Sequence, residues 1–567
     1  MTSSRMRILI VGGYGVFGGR LATLLADDAR CSLLIAGRSL QTAQDFCDGM
    51  TGVAAYEAVR FDRNGDLAVQ LAALKPDIIV DASGPFQDYG DAPYKLVSAS
   101  IAAGVNYLDL ADGSGFVDGV AQFDNAAKAR GVFVLSGVSS FPVLTSAAVS
   151  ELASGLAAID RIEAGVAPSP YAGVGENVIR AIASYAGKPV TLMRDGKPAV
   201  AYGLTETRRV TIAPPGRLPL RSTLFSLVDV PDLRVLPKYF PGLQSIWMGA
   251  GPVPEIWHRG LILFANGVRL RLLPALTPLA PLFHWVINHV RWGEHRGGLF
   301  VSVAGRNAMG ESVTRSWHMI ADGDAGPLIP SMAAVALIRK CLDSRSPESG
   351  ARAAANALTL DDYAQTFGGR AIAFGIREEN AMMRASPLYE RVLGTAFETL
   401  PPQIQDMHTV LSEHTAEGRA SVERGRNIIS RAIGFVFGFP DASSDVPVTV
   451  HFKVTGGAET WTRTFGTQSF SSVQSEGVGR ADKLIEERFG PLSFALAVVT
   501  TPDKLSLIVR RWTFLGVPLP RALAPVGDAH ETVEDGRFRF HVAISLPVIG
   551  LLVRYRGYLV PRADDKG

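Results

Sequence analysis

Eight residues near the start of the chain, "GGYGVFGG" (Gly12 to Gly19), carry a spacing with chemical consequences: Gly13-x-Gly15-x-x-Gly18, preceded by Gly12. The first glycine of such a set permits a tight turn, the second lets backbone approach a pyrophosphate, and the third lets a helix pack closely on a strand. Free N–H groups and the positive end of the helix dipole then attract phosphate. With Tyr14, Val16 and Phe17 in the variable positions, Gly12 to Gly18 form the predicted phosphate cradle. About 20 residues further on, where ribose selectivity is set, "IAGRS" ends a second apolar run at Arg38 and Ser39. A carboxylate there would repel a 2′-phosphate, whereas a guanidinium holds it with paired charge-assisted hydrogen bonds. The pattern predicts a dinucleotide site that prefers NADPH to NADH; the plainer alternative is a solvated arginine in a turn.

Two more strand ends extend the site. "VRFD" closes at Asp62, within reach of an adenine amino group if a third strand ends there, and equally suited to a surface loop. "VDASGPFQDYG" (Val80 to Gly90) supplies Ser83, Gly84, Pro85 and Phe86, a loop small enough to pass close to a nicotinamide ribose or to make an ordinary turn. Hydride transfer is the cofactor's chemistry, so the protein must add position, electrostatics and a proton. Among Tyr89, Tyr107, Asp109 and Asp112, the first choices for the proton are Asp112 and Tyr89; Asp112 also precedes a glycine, a pair that favours turns. His318 titrates in the right range by type, but its strand-like surroundings suit a structural histidine. His284, His289 and His295 are spaced five and six apart, which matches no metal pattern, and no nucleophile-elbow signature supports hydrolysis.

These residues need a scaffold of strand ends. From Met6 to about Gly137 the runs "RILIVG", "SLLIAG", "AAYEAVRF", "DIIVDAS", "VNYLDLA" and "VFVLSGV" alternate with helical patterns, which indicates an α/β Rossmann-type doubly wound parallel sheet. Phe17, Leu21, Leu24 and Leu25 give the first helix one apolar stripe. The predicted domains are 1–145, completed by 325–370 through the helical "IPSMAAVALIRKCLD"; an inserted α/β substrate domain over 146–324; and an α+β domain rich in antiparallel sheet over 386–563. "LDSRSPESGARAAAN" reads as a connector. In the last domain "VPVTVHFKV" and "GRFRFHVAI" alternate with period two, the mark of a half-exposed antiparallel sheet.

"GGYGVFGG", "IAGRS", "DASGPFQDYG", "NYLDLADG" and "SGVSSFPVLTSA", in that order, resemble the saccharopine dehydrogenase-like reductases, and "RSWHMIADGDAGPLIPSMAAVALIRK" resembles a segment of their larger members. The resemblance spans roughly residues 6 to 370 and implies a Rossmann domain that binds NADP or NAD, with a "Y-x-D-L-x-G-E" segment on the substrate side. Here that segment reads "LADGSG": the usual glutamate is replaced by Gly113, with Asp112 one step away, which argues against amino-acid substrates. From about Pro387 onward the chain resembles a domain of unknown function fused behind such reductases. Its aromatics (Trp461, Phe465, Trp512) and arginines (Arg463, Arg510, Arg511) would suit a curved sheet around an apolar ligand with an acidic head, or simply a sheet with one wet face.

Length and composition set the outer bounds. At 567 residues several domains are expected, and 47% hydrophobic with 19% charged residues suits large cores. A net charge of +2 does not suggest nucleic acid, and three cysteines without metal spacing suggest a reducing, cytoplasmic setting without a metal. "LLPALTPLAPLFHWVINHV" (Leu272 to Val290), broken by three prolines, reads as buried core rather than a membrane span; the alternative is peripheral membrane contact or a lipid tunnel mouth. The expected function is reduction of a C=O, C=N or C=C bond in an apolar or lipid-like small molecule by an NADP(H)-dependent enzyme, a reading compatible with a homodimer. An amino-acid-linked secondary-amine dehydrogenase and a non-catalytic nucleotide-binding sensor with a C-terminal ligand domain are the alternatives.

Overall fold

A computed structural model describes residues 5–86 and 89–562. Gln87 and Asp88 of the "GPFQDYG" motif, and the extreme ends of the first and last predicted domains, lie outside the described residues. Residues up to Arg208, Leu224–Trp317 and Ala321–Ile372 form one compact unit; Arg209–Thr223, His318–Ile320 and the chain from Ala373 onward form another.

The first unit begins with six strands: β1 (Met6–Val11), β2 (Cys31–Gly37), β3 (Ala55–Arg60), β4 (Ile78–Asp81), β5 (Asn106–Asp109) and β6 (Phe133–Ser136). They line up as β6-β5-β4-β1-β2-β3, all parallel. Ile8, Leu9 and Ile10 are wholly buried, as expected of strands covered on both faces. β1 sits between β2 and β4, so strand order reverses there and a crevice opens beyond the carboxyl ends of β1 and β4. Helix α1 (Val16–Leu25) leaves β1 through the glycine turn and buries Leu21, Ala22, Leu24 and Leu25, while Phe17 stays half-buried at the first turn.

The chain returns to this sheet late. The helix Ile329–Leu342 packs on α1, with Ser331 Oγ donating to Phe17 O at 3.1 Å. With Gly323–Leu328 before it, this helix is long and apolar enough to cross a bilayer, yet its side chains from Ile329 to Ile338 are mostly buried in the core. Part of the stretch read as a connector is a strand: Gly350–Ala353 pairs in parallel with β6. Its sequence, Gly-Ala-Arg-Ala, carries no β-branched residue, so pairing with β6 and the hydrogen bond from Ala351 N to Asp124 Oδ1 (3.0 Å) create the strand.

Between these passages a second, mixed sheet forms. Its central strands run Thr223–Leu227, Ser245–Ala250, Leu156–Ala167 and Arg296–Asn307; the middle pair is parallel and the outer pairings antiparallel. The segment expected to be core, Leu272 to Val290, is instead at the surface, with Leu272 76% and Trp285 56% exposed. Pro278 and Pro281 break it into a short turn of helix, Thr277–Leu279, and the helix Ala280–His289, in which only Ala280 is buried. Apolar composition therefore did not translate into burial.

The C-terminal unit goes beyond a half-exposed sheet. Ten antiparallel strands between Glu413 and Pro561 close into a barrel. Glu413–Arg424 pairs both with Ser443–Thr455 and with the last strand, Gly550–Pro561, while Lys504–Phe514 joins Leu492–Thr501 to Val526–Glu534. Val448, Val450 and Phe452 point inward, as the alternation predicts. Period two identifies the buried face but carries no information on whether the sheet's edges meet.

One buried contact fastens the second domain to the end of the nucleotide fold. Thr145, opening the helix Thr145–Ala153, donates to Asp232, the first residue of the helix Asp232–Tyr239, and both are wholly buried. Burial pushes the Asp232 carboxyl up to about 7, and its Oδ2 has no hydrogen-bond partner. Because the folded value lies above the unfolded value of about 3.9, this group's stabilising contribution is complete below about pH 4 and is lost as pH rises towards 7. Asp232→Asn should therefore gain stability relative to the parent between pH 4 and 7, on the order of 4 kcal/mol if the whole shift is expressed. Urea unfolding across that range checks this, and parallel profiles for the two proteins would refute it.

Candidate functional site

The cradle is built by backbone. Gly12 has φ +78°, and a Cβ on it would stand 3.0 Å from both Ala82 O and Ser83 Cα. A Cβ on Gly18 would stand 2.2 Å from Gly12 O. The loop after β4, the turn after β1 and the first turn of α1 thus meet at backbone contact. Gly15 is the N-cap of α1, and no side chain caps the helix. The N–H groups of its first turn have no intrahelical partner and, with the helix dipole, are arranged to receive an anion beside exposed Gly15 and Val16.

The other end of a dinucleotide would meet the end of β2. The Tyr14 ring lies against Gly37, where a Cβ would be 2.4 Å from its oxygen, and Tyr14 Oη accepts the Ser39 N–H at 3.3 Å. Arg38 is exposed beside it. Ser39 Oγ caps the helix Leu40–Asp48 by accepting from Thr42 N (3.2 Å) and Thr42 Oγ1 (2.8 Å), so only its own O–H remains to donate outward. Asp62 is a turn-former as well: its Oδ1 accepts from Asn64 N at 2.9 Å.

Beyond β4 the carboxylate of Asp81 is fully buried and organises the next loop. Its Oδ1 accepts from Ser83 N (3.0 Å) and Ser83 Oγ (2.6 Å), and Tyr89 Oη donates to Oδ2 at 3.2 Å. Tyr89 Oη also lies 2.8 Å from Ser83 Oγ, and Arg63 stacks on the Tyr89 ring while approaching Asp81 at 3.8 Å. Burial, with Asp81 next in effect, holds the Tyr89 phenol well above its ordinary range, so it keeps its proton and fixes the Ser83–Phe86 loop. Asp109, at the end of β5, is also fully buried: its Oδ1 accepts from Ala111 N, Ser136 Oγ and Gly137 N, and burial pushes it up to about 7. Tyr107 is core. Asp112 alone of the four stands exposed, at the rim.

A cavity of about 350 Å³ opens past these strand ends. Phe86, Tyr89, Tyr94 and Phe116 make an aromatic wall, with ring centroids 4.7 to 5.9 Å apart. Opposite them stand Ser184, Tyr185 and Asp229 from the second domain. Burial raises the Asp229 carboxyl against the opposing effect of a hydrogen bond with Ser114. The Tyr185 phenol is raised by burial and then by the charges of Asp112 and Asp229. The two domains are tied at this mouth: Asn177 Nδ2 donates to Gly84 O (3.0 Å) and Arg20 Nη2 to Ala172 O (3.1 Å).

Sequence reasoning missed Tyr185 and Asp229. Tyr185 is the last residue of the helix Glu176–Tyr185 and Asp229 lies just beyond the strand Thr223–Leu227, both far from the glycine loop in sequence and part of no spaced motif. His318, considered as an acid, is buried in the C-terminal unit, where Nδ1 accepts the Ala213 N–H at 3.3 Å. Burial, then Arg377 and Lys483, holds it well below its ordinary value, so it is a neutral structural group.

Residues 400–559 match the model of Domain of unknown function (DUF4166). No curated protein matches the chain. Among solved structures, saccharopine dehydrogenase (L-Glu forming) from Saccharomyces cerevisiae is 13% identical and matches 65% of this chain and 99% of its own length, with a TM-score of 0.47. A meso-DAPDH variant with DAP from Clostridium tetani (14% identity, 63% and 96% coverage, TM-score 0.31) also matches. So does the WlbA dehydrogenase from Thermus thermophilus, solved with NAD and alpha-ketoglutarate (12% identity, 65% and 94% coverage, TM-score 0.27). The chain thus has distant structural similarity to dehydrogenases over about two thirds of its length, joined to a C-terminal domain of the DUF4166 type.

Proposed function

We propose that the first unit is an NADP(H)-dependent oxidoreductase that reduces a C=O, C=N or C=C bond in an apolar small molecule. The observation that carries this reading is the backbone-to-backbone meeting of Gly12, Gly18 and Ser83 below an uncapped helix N-terminus, a cradle that any Cβ would fill. When bound, NADPH supplies the hydride. The chain supplies the rest. Gly13 to Phe17 bind pyrophosphate, Arg38 pairs with a 2′-phosphate, and the Ser83–Phe86 loop, fixed by Asp81 and Tyr89, borders the nicotinamide side. The aromatic wall excludes water, and the Asp229 carboxyl, raised by burial, is the group that passes a proton to the substrate, with Tyr185 Oη as a protonated group lining the same cavity.

Among the described residues lining this cavity there is no lysine or arginine. An amino-acid substrate would leave its carboxylate unpaired there, which favours the apolar substrate over the secondary-amine alternative. An apolar substrate also fits the outer surface. The helices Glu255–Arg269 and Ala280–His289 expose Trp257, Leu263, Leu282 and Trp285, continued by Leu272 and Trp292, with exposed Arg269, Arg271 and Arg291 among them. Aromatic and basic residues around an apolar face suit the interface of an anionic membrane. The helix Ala280–His289 packs on Glu176–Tyr185, where Asn288 Nδ2 donates to Val174 O at 3.0 Å, and the last residue of that second helix, Tyr185, lines the cavity. In this reading the protein works in the cytoplasm at a membrane surface.

Three outcomes follow. Titration of cofactor-free protein should show NADPH binding more tightly than NADH, and Arg38→Asp should weaken NADPH roughly 10- to 100-fold while changing NADH little; equal loss of both would refute the assignment. Asp229→Asn should lower single-turnover rates on a carbonyl, imine and enone panel by roughly 10²- to 10⁴-fold with NADPH affinity intact, whereas Tyr89→Phe should loosen the loop and weaken cofactor binding; turnover unchanged in Asp229→Asn would remove it as the proton source. Flotation with phosphatidylglycerol vesicles should weaken at least severalfold when Leu272, Leu282 and Trp285 become Ser, and unchanged flotation would remove this face as a membrane contact.

A further inference from the structure

The C-terminal barrel has two unlike ends. One is plugged from within the same unit: the helices Leu388–Leu393 and Pro402–His408 insert Tyr389, Ile404, Met407 and His408, none more than 1% exposed. Tyr389 Oη donates to Gln474 Oε1 at 3.0 Å, and His408 Nε2 lies 2.6 Å from Glu531 Oε2. The turns at this end are mostly polar: Gly456–Gly457, Pro502–Asp503 and Asp535–Gly536, with Val478 the exposed large apolar residue among them.

The opposite end gathers exposed apolar residues from three separate segments. Between Glu413–Arg424 and Ser443–Thr455 the helix Ile428–Val436 exposes Ile428 (85%), Ile429, Phe435 (86%) and Val436. The connection between Lys504–Phe514 and Val526–Glu534 exposes Leu515, Val517 and Leu523, and the turn before Gly550 exposes Val548 completely. The helix is firmly seated. Ser430 Oγ donates to Leu551 O (2.6 Å), Asn427 Nδ2 to Ile549 O (2.7 Å) and Arg424 Nη1 to Phe439 O (2.7 Å). It turns Ser430, Gly434 and half-buried Ile433 inward and leaves Ile428, Ile429, Phe435 and Val436 facing outward, so most of its large apolar side chains are presented to solvent. Exposed Arg426, Arg431 and Arg521 share this end, against Asp441, which is held by Gln468 Nε2 at 3.1 Å.

A cavity of about 160 Å³ connects the two regions, from Met407, Glu531 and Phe538 beside the plug to Phe489, Pro525 and Ile544 beside the apolar rim. Ten strands leave more interior than eight, whose side chains just fill a barrel or admit one small ligand. The polar groups inside satisfy one another. Arg463 donates to Ser472 Oγ (2.9 Å) and faces Glu487 at 3.5 Å; Glu487 Oε1 also accepts from Ser472 Oγ (2.7 Å) and Gln474 Nε2 (3.2 Å); Glu531 is paired with His408. With these groups engaged, the remaining wall is aliphatic and aromatic, and a polar head is best served by the arginines at the rim.

We infer that this barrel binds a single hydrocarbon chain of an anionic lipid, taken up from a bilayer on which the apolar rim and its arginines rest. The rim has the composition of a segment that lies in the lipid headgroup region, and it stands at the end of the barrel where Phe489, Pro525 and Ile544 line a mainly apolar cavity with room for the end of a chain rather than for a polar head.

The test uses the full-length protein. A diazirine-bearing long-chain fatty acid, photolysed with the unaltered protein, should label peptides from Phe489–Val509 and Gly527–Ile544. The fluorescent polyene cis-parinaric acid should bind saturably, and Ala529→Trp or Val542→Phe, which grow into the cavity, should weaken it at least tenfold. Thermal unfolding checks that these variants remain folded, and the labelling pattern stands without them. Phe435→Ser combined with Val548→Ser, both at exposed positions, should leave affinity for dispersed parinaric acid unchanged while slowing its transfer from phosphatidylglycerol vesicles at least tenfold. Label confined to 255–292, no label at all, or unchanged vesicle transfer in the rim variant would overturn the inference. Self-association that the rim variant abolishes, without any effect on lipid transfer, would also overturn it and make the rim an interface between copies.

Discussion

The first unit depends on one contact: Gly18 of α1 against the carbonyl of Gly12, with a Cβ-to-oxygen spacing of 2.2 Å that no side chain could occupy. Everything at the carboxyl ends of β1 and β4 follows from how deeply α1 can seat itself. Its seating fixes the helix dipole relative to β1, and Gly12, forced to positive φ, brings the turn against Ala82 and Ser83 after β4. The loop after β4 is then placed by Asp81, whose backbone N–H partners and Tyr89 lock its direction. A methyl group at residue 18 would push α1 outward and shift the late helix Ile329–Leu342, which rests on Phe17 O through Ser331.

Buried carboxylates recur at the ends of strands and at one helix start, and their placement is informative. Asp81, Asp109 and Asp232 are all fully buried, and burial raises each of them. Placing an acid in a low-dielectric interior is costly unless it is hydrogen-bonded or neutralised. Asp81 and Asp109 offset that cost by accepting backbone N–H groups from the loops that follow β4, β5 and β6, so the carboxylates act as splints for irregular backbone. The carboxyl that faces the cavity, Asp229, is raised but not splinted in this manner, which is why it is the acid assigned a chemical role.

Much of this was legible in sequence, and the rest was not for physical reasons. The glycine spacing and the apolar runs of β1, β2 and β4 report local geometry, because tight turns and doubly covered strands each constrain residue type at short range. That Arg38 directly follows the end of β2 was readable for the same reason. Tyr185 and Asp229 were not, since they reach the cavity only through tertiary packing of the second sheet. The strand Gly350–Ala353 has no strand-like composition and exists by pairing with β6. The Leu272 to Val290 segment misled in the opposite direction: its apolar content predicts burial, yet Leu272, Leu279, Leu282 and Trp285 stand exposed.

That last failure connects with the barrel. Exposing large apolar side chains is unfavourable by about 25 cal/mol per Å², so a protein that exposes them in clusters retains them against a steady stability and solubility cost. The barrel's mouth helix sharpens the argument, because side-chain hydrogen bonds from its N-cap Asn427 and from Ser430 hold it with Phe435 and Val436 outward. The fold therefore spends hydrogen bonds to keep an apolar surface presented, and only a partner as apolar as that surface returns the free energy. Scattered exposed leucines need no such explanation. Residues drawn from three chain segments to one rim, around the entrance of an apolar cavity, do.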